Sequence, residues 1–259
     1  MSFSFSAAFE QGSNTFKTRY GALLGAVVVF ILVMLGAGIV QAIVNAAFGL
    51  GYEHDSMTIP DLLITIFFSN VFGPGIFLMA VQLHRGESPG MGTLFAGFSR
   101  YWPLVGIGVL LSLIFGAIAI GVAFFAGIGI VASSAGFTTS WVLGGGFVIA
   151  VLVGLCLSLF FMTRLAFVGI LCIDPQRQLG VADSFATSWR MTGPIFWPLL
   201  GLIIVLSLIL IVSIALLVLP VVFIGAPLFL AVLSAAYQLA VGDAPAVAVE
   251  GGGEEFAQG

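Results

Sequence analysis

Arg164 is the only charged residue set within an apolar run, in the stretch FFMTRLAFVGIL, and the next charge along the chain is Asp174. The ten intervening steps amount to roughly 15 Å of helix at ~1.5 Å per residue. Two readings of Arg164 follow. A guanidinium held deep in hydrocarbon is costly, so such a residue marks a functional site. Alternatively, the spanning part ends near Met162, and Arg164 snorkels to the headgroups while Leu165 to Ile173 continue as a shallow helix. The other residues able to do chemistry are scattered. The two histidines, His54 and His84, fall on opposite sides of a six-span topology, and the chain contains no HExxH, CxxC, GxSxG or P-loop pattern. Asp61 stands at a helix start and reads as a cap. Cys156 and Cys172 lack metal-ligand spacing and read as small buried hydrophobes. Gly144-Gly145-Gly146 reads as close helix packing, not a phosphate cradle. No catalytic residue, cofactor or metal site is expected, so a non-enzyme is.

The elements that must position Arg164 and Asp174 are transmembrane helices. Hydrophobic residues make up 61% of the 259 positions, charged residues 7%, and mean hydropathy is +1.24. A soluble domain carries about 25% charged residues, too many to be replaced by so few on a wetted surface. A span needs roughly 20 apolar residues. Such runs lie at Gly21 to Gly49, from Pro60-Asp61 to Leu83, from Trp102 to about Val131, and from Trp141 to about Cys172. The uncharged stretch Pro194 to Val241 is too long for one span and is expected to turn at Pro220 and Gly225, giving six spans.

Six of the seven basic residues (Lys17, Arg19, Arg85, Arg100, Arg177 and Arg190) fall in the N-terminal segment or the 84–101 and 174–193 loops, and none falls in loops 50–60 and 132–140. Cytoplasmic loops retain Lys and Arg, which puts both termini inside a bacterial cytoplasmic membrane. Glu10 and the length of the first apolar run argue against a cleaved signal peptide. Residues 242–259 are acidic and poor in large apolar groups, and are expected to be disordered. Membrane lipids are the expected partners, with a second copy or another membrane protein as further candidates, and no nucleic acid.

The chain also repeats. WPLVGIGVLLSLI at Trp102–Ile114 and WPLLGLIIVLSLI at Trp197–Ile209 share their pattern at a constant offset. Each follows a short amphipathic segment: Met91, Leu94, Phe95 and Phe98 before the first, Val181, Phe185 and Trp189 before the second. Phe5, Phe9, Phe16 and Tyr20 offer a third near the N-terminus. Segments of this kind suit the membrane interface, or simply position the next span. The second helices match as well, FGPGIFL at Phe72–Leu78 with IGAPLFL at Ile224–Leu230, and Pro74 aligns with Arg164. The expected fold is therefore all-α: one membrane domain over 1–241, built as three helix-plus-hairpin repeats of about 1–83, 84–172 and 173–241. Gly73-Pro74-Gly75, Arg164, and Gly225 with Pro227 would be breaks or kinks in the second helices, which mark transport sites in some proteins and plain packing in others. Asn70, near the first of these, is expected to form an interhelical hydrogen bond.

The stretch RLAFVGILCIDPQRQLGVADSFATSWRMTGPIFWPLL, through Arg164, Asp174, Ser188-Trp189, Thr192-Gly193 and Trp197, resembles a broad family of six-helix bacterial inner-membrane proteins. That family includes the membrane domain ahead of some glycerophosphodiester phosphodiesterases. The catalytic phosphodiesterase domain has no counterpart here, so the resemblance implies the fold and not that activity. The expected role is a non-enzymatic membrane component that organises lipid or partner proteins; the alternative is a transporter or channel subunit using broken helices around Arg164. Candidate functional or interfacial residues are Arg164, Asp174, Asn70, Pro74, Ser188, Trp189, Trp102 and Trp197.

Overall fold

The computed structural model describes residues 3–47, 59–134, 140–215 and 220–243. The described residues are helical, with no strand among them. The order is α1 (Phe5–Ala47), α2 (Ile59–His84), a 3-10 segment (Met91–Arg100), α3 (Tyr101–Ser134), α4 (Ser140–Arg164), α5 (Val168–Ile173), α6 (Val181–Thr192), α7 (Phe196–Ala215), a π-helical turn (Val221–Gly225) and α8 (Ala226–Asp243). Among the described residues, five helical stretches are long and apolar enough to cross a membrane, beginning at Phe5, Met91, Gly146, Phe196 and Val221, as fits a multi-pass membrane protein. The fully described part of α2, Phe72–His84, is apolar but shorter. Most of the loops expected at 50–60 and 132–140, and the tail from 244, lie outside the described residues.

Helix α1 would be roughly 65 Å long if straight, about twice the hydrocarbon thickness. Non-helical angles at Arg19 (φ −120°, ψ 22°) divide it where the N-terminal amphipathic segment gives way to the apolar run. The turn expected at Pro220 and Gly225 is not found there: residues 220–225 are helical, because Pro220 at φ −60° starts a helix well. Pro74 leaves α2 unbroken. It packs on α5, where a Cβ at Gly169 would stand 3.2 Å from the proline ring, and the next residue, Gly75, lies against the Leu94 carbonyl. Both contacts seat the proline rather than opening the helix.

Small residues bring the main helices together. Ala8 and Gly12 on α1 face Val232 on α8, and a Cβ at Gly12 would run into the Val232 backbone. Ala231, Ala235, Ala236 and Ala240 are buried along α8. Lipid offers no hydrophobic drive between helices, so close backbone approach through small side chains supplies the attraction. The larger core gathers Phe77 and Leu78 of α2, Phe167 and Leu171 around α5, Leu199 and Leu202 of α7, and Tyr237 of α8. A smaller one joins Leu23 and Val27 of α1 to Ile76 and Met79 of α2. Helices α3 and α4 pack mainly on each other, and both expose large apolar side chains along most of their length.

The two WPL helices present the same faces. From Tyr101 to Ile107 and on to Val109, each position has the same degree of burial as its counterpart from Phe196 to Ile204. Trp102 and Trp197 are 79% and 77% exposed, whereas Leu104 with Leu199, and Ile107 with Leu202, are buried. Gly154 and not Gly146 is the close contact between α3 and α4: a Cβ on Gly154 would meet Val122, but one on Gly146 meets nothing within 4 Å. The helices part toward Gly146, so its expected packing role is not met. Cys156 is likewise exposed, on the outer side of α4, and only Cys172 is buried.

Gly12→Ala should destabilise the protein in detergent by about 1–3 kcal/mol, through overpacking against α8. Gly36→Ala, on an exposed face of the same helix, should be neutral or mildly stabilising. Thermal unfolding of the two variants decides this; equal melting temperatures would refute the tight α1–α8 contact.

Candidate functional site

Polar side chains gather at one end of the molecule, in two groups. The first centres on Asp174, just past the end of α5 and fully buried. Arg85, one residue beyond α2, grips it with both arms: Nη1 donates to Oδ1 at 3.1 Å and Nη2 to Oδ2 at 2.7 Å. The Tyr237 hydroxyl of α8 donates to Oδ2 at 2.9 Å, and the Gln176 N–H to Oδ1 at 3.1 Å. Both oxygens of the carboxylate thus have partners, from the turn after α2, the turn after α5 and helix α8. Burial alone pushes the Asp174 carboxyl up, but the Arg85, Gln176 and Tyr237 hydrogen bonds outweigh it and hold the group below the ordinary carboxylate range. Phe77 stacks on Phe167, and Tyr237 meets Phe77 edge-on and Phe167 at a tilt, with centroids 5.4–6.5 Å apart. Nearby, Arg100 donates to Gln178 at 2.7 Å, and Thr15 Oγ1 lies 2.8 Å from His84 Nδ1. These contacts tie the N-terminal segment and the 84–101 and 174–193 loops together.

The second group surrounds Arg164, the last residue of α4. A turn over 165–167 separates it from α5 and leaves carbonyls without helical partners. Hydroxyls of α6 fill that need: Ser188 donates to the Arg164 carbonyl at 2.9 Å and Thr192 at 3.2 Å. The buried face of α6 is therefore its Ser184, Ser188 and Thr192 side, while Trp189 on the apolar stripe points outward. The Arg164 guanidinium lies among three rings, 5.0 Å from Trp189, 5.3 Å from Phe196 and 5.6 Å from Phe160. Its Nη1 donates to the Trp189 carbonyl at 3.3 Å, and Nε is buried without a partner. A Cβ on Gly193 would stand 3.1 Å from Nη1, so a larger residue there would press on the guanidinium. No carboxylate pairs with Arg164 among the described residues; the ion pair there belongs to Arg85 and Asp174.

Of the residues singled out from sequence, Arg164, Ser188 and Trp189 come together, and Pro74 packs nearby on α5. Asp174 does not join Arg164; Arg85 takes it, because its carboxylate lies at the far end of α5 from the α4 break. Trp102 and Trp197 stand outside both groups, at the starts of α3 and α7. Asn70 lies in α2, but its side chain is outside the described residues. Sequence reasoning missed Arg85 as a partner, and missed Tyr237, Thr192, Phe160 and Phe196 as contacts. The second-helix alignment held the signal for two of them. Extending Phe72–Leu78 against Ile224–Leu230 sets Arg85 opposite Tyr237, and the Pro74–Arg164 register sets Arg85 one place from Asp174.

Among the described residues no cluster of three His, Cys, Asp or Glu side chains could hold a metal ion. Comparison with protein-family models, with curated proteins and with solved structures finds no match to this chain.

Removing the Asp174 charge leaves Arg85 buried without its counter-charge. Asp174→Ala should therefore cost about 3–5 kcal/mol, read as a fall in thermal stability in detergent. A carboxyl held below its unfolded value contributes stability above that value and loses it as pH falls through the folded one. Wild-type stability owed to Asp174 should hold from about pH 7 down to about pH 4 and fall below it. Asp174→Asn should start lower and show a shallower acid loss; an unchanged acid slope would contradict the assignment.

Proposed function

We propose that the chain is a non-enzymatic, six-span protein of the bacterial cytoplasmic membrane that organises lipid or partner proteins through its interfacial segments. One observation carries this reading. The buried carboxylate of Asp174 is fully engaged by Arg85, Tyr237 and Gln176, which leaves it no free oxygen for acid/base work, while Met91, Phe95, Phe98, Trp102, Trp189 and Trp197 are all partly or largely exposed. Polar groups are turned inward to hold the fold, and aromatic groups outward, where an interfacial belt belongs.

Three helix-plus-hairpin repeats with both termini cytoplasmic complete the proposal. The matched burial around Trp102 and Trp197 supports the repeats. The convergence of Thr15, His84, Arg85, Arg100 and Asp174 at one end supports a common side for the basic segments. The residues from Arg164 to Trp197 support kinship with the six-helix inner-membrane family that they resemble. The guanidinium of Arg164, which has no carboxylate partner among the described residues, favours the second reading, a transporter or channel subunit.

Reconstituted vesicles separate the two. Under the first reading they carry no ion or organic-anion flux above protein-free vesicles, and labelled lipid diffuses more slowly around wild-type protein than around a Trp102→Ser, Trp197→Ser variant. Flux above that of protein-free vesicles, abolished in Arg164→Gln, would instead establish transport. For the topology, single cysteines at Ser56 and Ser140 in a cysteine-free background should label from outside intact cells and one at Ser88 should not. External labelling at Ser88 would overturn the orientation.

A further inference from the structure

An apolar groove of about 610 Å³ runs between α3 and α4, lined by Ala117, Gly121 and Phe125 on one side and by Ala150, Val153 and Leu157 on the other. That volume falls within the roughly 300–1,000 Å³ typical of small-molecule sites. The groove widens because its glycines carry no side chain: a Cβ at Gly121 or Gly146 meets nothing within 4 Å.

The groove and the Arg164 cage lie on one face of α4. Positions 164, 160, 157, 153, 150 and 146 recur at helical spacing, so the stripe that lines the groove ends in Phe160 and Arg164. Leu157 and Arg164 are seven residues apart, or roughly 10 Å along the axis. Beyond the groove, about two helical turns past Leu157 on the same face, sits a cation whose only hydrogen bond among the described residues goes to one backbone carbonyl at 3.3 Å. Three aromatic rings surround it, and no carboxylate among the described residues neutralises it. Apolar length ending in a fixed, unneutralised planar cation complements an amphiphile whose acyl chain ends in an anion.

We infer that this face of α4 binds an anionic phospholipid, with its phosphate on the Arg164 guanidinium and one acyl chain in the α3–α4 groove. The inference rests on the lipid-organising reading above and names the lipid class. A guanidinium fork matches two phosphate oxygens, and aromatic walls exclude the water that would weaken that contact. Phosphatidylcholine carries its own quaternary ammonium beside the phosphate, so its zwitterionic headgroup offers Arg164 less net attraction.

Native mass spectrometry of the purified full chain, titrated with phosphatidylglycerol or phosphatidylcholine of matched acyl chains, tests this. Wild type should favour phosphatidylglycerol, and Arg164→Gln should weaken that lipid by about tenfold while leaving phosphatidylcholine little changed. Ala150→Phe, which fills the groove without touching the cation, should weaken phosphatidylglycerol as well. Inorganic phosphate should not compete. Should Arg164→Gln fail to fold, Arg164→Lys keeps the charge without the fork and should reduce the preference part-way. An unchanged preference in the Arg164 variant, binding indifferent to Ala150→Phe, or displacement by inorganic phosphate would each overturn the inference. The organising role fails by a different result, solute flux in vesicles, so the two failures are distinguishable.

Discussion

A single carboxylate governs how the ends of three helices meet. Asp174 is buried, and an ionised group in that setting is tolerated only with its charge balanced and its oxygens hydrogen-bonded. Arg85 supplies the charge, Tyr237 and the Gln176 N–H supply the remaining hydrogen bonds, and each of the three arrives on a different stretch of chain. The ends of α2 and α5 and the last turns of α8 are therefore fixed relative to one another before any apolar contact is counted. The Phe77, Phe167 and Tyr237 rings then pack in the space those ends enclose. Apolar packing alone is forgiving of a sliding helix; a two-armed ion pair is not, which makes it the natural source of register here.

The same need for satisfied polar groups explains how α4 can end beside α5. Its terminal carbonyl at Arg164 would be stranded at the break, and Ser188 and Thr192 reach across from α6 to take it. Helix α6 thus turns its hydroxyl face toward the protein and leaves Trp189 outward. The two arginines nearest these joints end up with opposite environments. Arg85 is paired with a carboxylate and serves the fold, whereas Arg164 is framed by rings, with no carboxylate partner among the described residues.

Much of the fold was legible from residues. The apolar runs became helices near their expected bounds, and the segment from Val181 was recognisable from its spacing alone. The phrases at Trp102 and Trp197 show matching burial over nine positions, because similar side chains at the same helical phase turn the same way. Less of the site was legible. Arg85 looked like a topology marker since nothing local shows where a flexible guanidinium will reach across 89 residues. Tyr237 stood in an apolar run as one more aromatic. Pro74 suggested a break, but its effect depended on a glycine in another helix. Partners that meet only in three dimensions leave at most an indirect mark, as the shared register of Arg85 and Tyr237 does in the second helices.

The close seating of Gly12 on Val232 also sets an order of events during synthesis. These positions stand 220 residues apart, and a ribosome adding about 5–20 residues per second needs roughly 10–45 s to cover that distance. Throughout that interval the small-residue face of the first helix has no mate within its own chain. That contact can form only once α8 has emerged, so the pairing of α1 with α8 comes after every helix between them has been made.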